Sequence, residues 1–506
     1  MENTKQKILS AERRGLDSKQ VLVECVINLE NGENIEKVLA LTANAGQTNL
    51  ETFEKETKFS GEVFVNLFYL TSENKIDSIS CTCSYQDTFK HDALKGEQKV
   101  KAEPRIVAVV PTSASEDTIK VLVTVEIDFT LEGNALTEVY ENNDSDFCVK
   151  TGEITLNVLA QDVSGEFPVA KVLDIKEKIK KVLLVDSGAI IKNTTTGNGF
   201  VAVQGEVYSF IVYAREDGSV THAQVSESFK EEFEADKASK DSMVEANVYV
   251  SKKSTTLEIE EHEASTTLTL TTPLKVTLKV YNNQSFSTVE DLYSLKNNLE
   301  VLSAQVSNTS LIAPKYFEGK IEGSLTLNDN NPRIDKVLAV SSPRHVVSNT
   351  YVNSGEVYVE GVIYSNLVYL NDETESINSV EIEVPFVTSE KLSTDANIVA
   401  VKTQIALSDC DVIAKRGREI YFDCKIKAYS NFWEEKSYSV ISGAVKGKEF
   451  AARDSAIEIY FAKTGETFWD IAKELKVAES VVKGQNPSVV SPLECDEKIV
   501  VYYGLD

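Results

Sequence analysis

Three segments of the chain share one pattern, and that pattern fixes most of what the sequence can fold into. "KVLALTANAGQTNLETFEKETKFSGEVFVNLFYL" starts at Lys37, "KVLLVDSGAIIKNTTTGNGFVAVQGEVYSFIVYA" at Lys181 and "KVLAVSSPRHVVSNTYVNSGEVYVEGVIYSNLVYL" at Lys336. Each opens on Lys-Val-Leu. Each then reaches a glycine, 24, 24 and 25 residues on, and a tyrosine eight residues after that: Gly61 and Tyr69, Gly205 and Tyr213, Gly361 and Tyr369. Polar turns follow ("TSENK", "REDGS", "NDETES"), then a second alternating run, which is the signature of a β-hairpin. The runs before the glycine are rich in Val and Thr and also read as strand. A period of about 150 residues is domain-sized, not solenoid-sized. The expected division is an N-terminal segment 1–19, then β-domains 20–165, 166–320 and 321–445. The glycines need no ligand to explain them, since glycine in a strand relieves crowding or forms a bulge; the tyrosines are expected at a sheet edge. "SFSTVEDLYSLKNNLEVL" (285–302) is expected to hold a helix, and "KEEFEADKASKDS" (230–242) a solvated loop or short helix.

The last fifty residues follow a different rule. "AIEIY" alternates, with Ile457, Ile459 and Phe461 on one side of a strand. Thr467 can cap a helix, with Asp470 in capping-box position. Phe468, Ile471, Ala472 and Leu475 then recur at i, i+3, i+4, i+7, one apolar helical face. A second short helix carrying Val477, Val481 and Val482 must stop before Pro487, and "KIVVYY" closes as a strand. Residues 456–506 therefore read as a small βααβ domain, in which Trp469 supplies much of a thin core.

The string Gly465-Glu466-Thr467-Phe468-Trp469-Asp470-Ile471-Ala472, followed by Asn486-Pro487 and the final strand, resembles a LysM domain. That resemblance implies a binding module for N-acetylglucosamine glycans such as peptidoglycan, or for a protein. Its groove would lie between Gly465, Glu466, Thr467 and Phe468 on one side and Asn486, Pro487, Ser488 and Val489 on the other. Where the family often has a Pro-Gly-Gln-type turn, this chain has Glu494-Cys495-Asp496-Glu497, an acidic substitute that argues against glycan. The repeated Lys-Val-Leu and the Gly-x-Val/Ile-Phe/Tyr strand ending in tyrosine resemble SPOCS domains of spore coat and spore-associated proteins. Three such domains with a terminal LysM-like domain imply a coat morphogenesis protein, with a coat morphogenetic ATPase as the partner of the LysM-like end. The expected fold class is mainly β, three tandem homologous β-domains followed by the βααβ module.

Charge narrows the partners. A net charge of −27 argues against nucleic acid, whose binding needs Lys and Arg on phosphates, and against an anionic membrane surface. No apolar run approaches bilayer length and no signal peptide is visible, so the expected place of action is the cytoplasm, on the mother-cell side of a forespore by resemblance. Seven scattered cysteines read as reduced thiols. Cys81 and Cys83 share a sheet face, but no histidine or second cysteine pair completes a metal site. The four histidines, His91, His222, His262 and His345, lie apart in polar, turn-like contexts. "EEHEAS" around His262 reads as a charged surface loop. No phosphate loop, nucleophile elbow or zinc-protease helix is present. No catalytic residue, cofactor or metal is expected. The expected function is a non-enzymatic scaffold that docks a protein through its LysM-like end, with peptidoglycan binding as the alternative and a glycan-processing enzyme third.

Overall fold

The computed structural model describes residues 5–29, 35–92, 94, 97–114, 118–142, 144–341, 343–374, 376–394, 396–415, 417–451, 453 and 455–503. Residues 1–4 of the expected N-terminal segment and 504–506 of the expected C-terminal module lie outside them. The chain is mainly β.

Among the described residues up to Glu449 the strands fall into three runs of seven. The first holds β1 (Lys5–Asn28), β2 (Ile35–Ala45), β3 (Asn49–Thr52), β4 (Glu56–Thr71), β5 (Ile76–Lys90), β6 (Lys99–Ala114) and β7 (Thr118–Tyr140). The second holds β8 (Phe147–Ile175), β9 (Ile179–Gly197), β10 (Phe200–Arg215), β11 (Val220–Glu234), β12 (Met243–Val250), β13 (Thr256–Glu261) and β14 (Thr266–Ser294). The third holds β15 (Asn297–Thr326), β16 (Ile334–Val340), β17 (Arg344–Asn353), β18 (Glu356–Asn371), β19 (Ile377–Lys391), β20 (Ile398–Lys415) and β21 (Glu419–Glu449).

Each run builds an inner and an outer antiparallel sheet. The inner sheet centres on β4, β10 or β18, paired to β5, β11 or β19 on one side. On its other side lies one edge strand, continuous as β9 but interrupted as β2/β3 and β16/β17. The outer sheet centres on β7, β14 or β21, each paired along its length to the first strand of its own run, β1, β8 or β15. The sheets thus close within 5–140, 147–294 and 297–449. The boundaries expected at 165/166 and 320/321 fall inside β8 and β15. Lys-Val-Leu marks the start of the inner sheet only, and the outer strand before it pairs with a partner about a hundred residues later, which no local pattern announces. Gly165 and Pro168 look like breaks, but an edge strand tolerates both.

The three motif glycines occupy one position, the sixth residue of β4, β10 and β18, and not the strand start. Each faces an aromatic residue across the ladder: Gly61 opposite Tyr85, Gly205 opposite Phe229, Gly361 opposite Phe386. The ring lies where a Cβ would stand, so glycine is needed for close approach. On the other flank the ladder slips a register at Gly205 and beside Gly361, a bulge. Tyr69, Tyr213 and Tyr369 are buried in central strands, not at an edge. The Tyr213 hydroxyl donates to Glu177 Oε1 at 2.8 Å and that of Tyr369 to the Pro332 carbonyl at 3.2 Å. Both acceptors lie in the link from outer to inner sheet, so the tyrosine ties that link down.

Two further readings are corrected. Residues 285–302 hold no helix: β14 turns directly into β15. The register shift between Val289 and Asp291 puts Val289 and Leu292 on one face at a spacing of three, which imitates helical periodicity in sequence. Residues 230–234 of the charged stretch extend β11, and the turn after it buries Ala235 and Ala238.

The three runs meet in a cycle. β5 packs on β9, β11 on β16 and β19 on β2. Lys181 donates to Asp77 Oδ1, Lys37 to Asn378 Oδ1 at 2.9 Å, and Lys336 lies within charge reach of Asp217. One apolar cluster joins Leu39, Leu183 and Leu338, the leucines of the three Lys-Val-Leu motifs, with Phe68, Phe210 and Val368. A second joins Ile8 and Val139 to Leu156, Val158 and Phe286 and to Val306 and Val440, drawing on all three runs. The three runs also share a buried charge cluster. Glu245 lies 3.7 Å from Arg13, 3.3 Å from Lys279 and 3.9 Å from Lys402, one cation from each run. Arg13 also lies 2.9 Å from Glu132 and stacks on Trp433, 4.1 Å from the ring centre.

Candidate functional site

The C-terminal module is β22 (Ile457–Ala462), α1 (Phe468–Leu475), α2 (Glu479–Gln485) and β23 (Glu497–Tyr502), with β22 and β23 antiparallel. The order strand, helix, helix, strand follows the periodicities of the sequence. Thr467 caps α1 in a full capping box: its side chain accepts from Asp470 N, and its own N–H donates to Asp470 Oδ2 at 2.9 Å. The Thr467 hydroxyl, donating to Asp470 Oδ2 at 2.6 Å, and the Thr467 N–H hold the Asp470 carboxyl below its ordinary value. Ile471, Ala472 and Leu475 are buried on the apolar face.

Residues of the expected groove fall into two classes. Phe468 and Asn486 are buried. Asn486 is a structural lock, donating to the Val482 and Val500 carbonyls, both at 2.9 Å, and accepting from Val500 N at 3.0 Å. Phe468 and Val489 belong to the module's apolar cluster. Gly465, Pro487 and Ser488 are exposed, and Glu466 and Thr467 are half-buried. Gly465 adopts φ +92°, a conformation that favours glycine. Glu466 is held by Tyr460 at 3.0 Å and by Lys463 N at 2.8 Å. The first loop is laced to the segment following the second. Gly465 N donates to the Leu493 carbonyl at 2.8 Å, Leu493 N to the Glu466 carbonyl at 3.0 Å, and Phe468 N to Ser491 Oγ at 3.0 Å. The acidic turn is tied in as well, Asp496 accepting from Thr464 N at 2.9 Å.

Sequence reasoning missed the apolar residues that the module leaves outside. Val490 is 67% exposed and Phe461 76%. Phe461 shares its outward face with Ile457 and Ile459. The alternation placed those three together but could not say whether the core or solvent lay on that side.

Sequence reasoning also missed how the module is held. Asp291, at the end of β14, accepts from Trp469 Nε1 at 2.8 Å and from Lys473 Nζ at 2.6 Å. Burial works against its charge, but Lys473 and Trp469 outweigh this and hold its carboxyl below the ordinary value. Tyr293 packs edge-on against Trp469 and donates to the Val477 carbonyl at 2.7 Å. Arg453, in the connecting segment, donates to the Leu475 and Lys476 carbonyls. Tyr293 is part of the module's own core, so the second run of strands completes it.

Two of the four histidines differ from expectation. His262 is exposed in the β13–β14 turn, and His91 bonds Thr57 just after β5. His222 and His345 lie on strands. Burial lowers the His222 pKa, and its ring stacks on Phe210. His345 lines a cavity of about 830 Å³ where the three runs meet, with Asp186, Lys252, Glu103 and Lys402 on the same walls. Burial pulls its pKa down to about 4, against the opposing influence of Asp186. The expectation of uniformly reduced cysteines is also corrected, because Cys410 and Cys424, on the paired strands β20 and β21, form a disulfide.

Among the described residues no helix is long and apolar enough to cross a membrane. Residues 178–258 match the protein family described as "SipL, SPOCS domain". The match spans β9 to β12 and ends within β13, and it includes Lys181, Gly205 and Tyr213. No curated protein and no solved structure matches the chain.

Proposed function

We propose, from the SPOCS-family match over residues 178–258, that the chain is a non-enzymatic scaffold of the spore coat. In this reading the three runs of strands are tandem SPOCS-like domains and the C-terminal module is a LysM-like docking end for a coat morphogenetic protein. The observation that carries the reading of the body is positional. The motif glycine is the sixth residue of a sixteen-residue central strand in all three runs, with an aromatic residue opposite. One matched run therefore speaks for the other two. The docking role of the end is supported by its order of elements and by the exposed Val490 beside Pro487 and Ser488. A protein partner is favoured over peptidoglycan by the exposed acidic turn Glu494–Glu497 and by the overall charge of −27, which oppose a polyanionic wall. Action at the forespore surface follows from the same family reading.

The test uses the full chain, because Tyr293 completes the core of the module. Ser488→Asp/Val490→Asp protein is compared with the parent for capture of the coat morphogenetic ATPase and of purified peptidoglycan. Loss of ATPase capture at unchanged melting temperature supports docking through this face. Loss of peptidoglycan capture instead replaces the protein partner by glycan. Capture of both at parental levels removes this face as the contact.

A further inference from the structure

We infer that Cys25, Cys81 and Cys83 form a binding site for a thiophilic cation of the zinc class, with three thiolate ligands and a fourth position open to solvent. The sequence offers two of these residues as an i, i+2 pair; the fold supplies the third. Cys25 lies on β1 in the outer sheet, while Cys81 and Cys83 lie on β5 in the inner sheet. All three point into the space between the sheets, and the three Sγ atoms lie within 4.8 Å of one another. Cys81 Sγ and Cys83 Sγ are 3.9 Å apart. Tetrahedral zinc with Zn–S bonds of about 2.3 Å sets its sulfurs roughly 3.8 Å apart, so the Cys81–Cys83 pair already stands near the spacing a metal needs, with Cys25 in reach.

The surroundings fit a soft cation. Cys25 is fully buried among Val23, Ile27 and Val121 of the first run's core, and the other two are half-buried against it. Three thiolates in so apolar a place need charge compensation. A divalent ion leaves one residual negative charge and a monovalent ion two, which favours the divalent. β1 and β5 are both edge strands of their sheets, so the site lies along the open side of the sandwich, where an ion can enter and a water can complete the shell. Binding exchanges three thiol protons for the metal, and the protons leave to solvent.

The site belongs to the first run alone. Cys81 and Cys83 are the sixth and eighth residues of β5. The same positions hold Val225 and Glu227 in β11, and Ile382 and Val384 in β19. The fold therefore does not require cysteine there.

The test is equilibration of the full, reduced chain with Zn2+, followed by gel filtration and elemental analysis, and a parallel loading with Co2+ read by its sulfur-to-cobalt charge-transfer absorption. One ion per chain is expected, together with that absorption. Cys81→Ser/Cys83→Ser protein should lose both, and Cys148→Ser/Cys495→Ser protein should keep both. The first variant changes half-buried positions, so its fold is checked by circular dichroism; if it is unfolded, the single Cys83→Ser variant decides by the same readout. Absence of bound ion from the parent, or its retention by the folded serine variant, overturns the proposal.

Discussion

The carboxylate of Asp291 accepts a hydrogen bond of 2.8 Å from the indole of Trp469, so a residue of the second run of strands fixes a module that follows the third in sequence. The same carboxylate holds Lys473 at 2.6 Å. Asp291→Ala combined with Tyr293→Ala should free the module from the body. The measurement is limited proteolysis in residues 450–456, expected to quicken by tenfold or more, while the main unfolding transition of the body shifts little. Unchanged cleavage would show that the connecting segment alone holds the module.

Gly205→Ala should destabilise the second run by about 1–3 kcal/mol, the usual cost of overpacking, because a Cβ there collides with the Ile190 carbonyl and the Phe229 ring. Gly188→Ala, where nothing lies within 4 Å of the added atom, should be nearly neutral. Denaturant midpoints of the two variants check the contrast, and equal midpoints would remove the aromatic cover as the reason for the glycine.

Glu245 is fully buried. Burial opposes its charge, but Lys279, Arg13 and Lys402 prevail and push its pKa down to about 2 from an ordinary 4.5. A depressed carboxyl pKa adds stability that is complete above pH 4.5 and is lost as pH falls towards 2. Glu245→Ala should cost about 3–5 kcal/mol at neutral pH, since it strands buried cations. The variant's melting temperature should also depend less on pH between 4.5 and 2 than the parent's, as followed by calorimetry.

Phe468→Ala should lower the stability of the C-terminal module by about 3–5 kcal/mol, because the ring is buried in the module core. Asn486→Ala should also destabilise, by leaving the half-buried Val500 N–H and carbonyl without partners at about 1–3 kcal/mol. Amide exchange in α1 and β23 reads both. A variant of either residue that loses partner capture therefore reports on folding, unlike Ser488→Asp/Val490→Asp.

The hairpins and the four elements of the C-terminal module were legible because each rests on a local period of two or 3.6 residues. The ends of the three runs were not. β8 pairs with β14 through residues such as Leu173 and Leu268, about a hundred positions apart, and nothing near either one encodes the other. The false helix at 285–302 came from a bulge that shifts the phase of a strand. Cys25 could not be joined to Cys81 and Cys83 from sequence, since the two sheets of one sandwich bring them together. Phe468 opens α1, and its place in the sequence does not say which way its ring turns.

The cycle of contacts from β5 to β9, β11 to β16 and β19 to β2 has an arithmetic consequence. An open stack of repeats presents two free faces, so copies can be gained or lost at its ends. Here the first run already rests on the third, through Lys37 and Asn378, and Glu245 draws one cation from every run. A further run inserted into the cycle would have to break one of these contacts, and loss of the first or the third run would take Arg13 or Lys402 from the buried Glu245. The three contacts close on themselves, so adding or removing one run of strands would open the cycle.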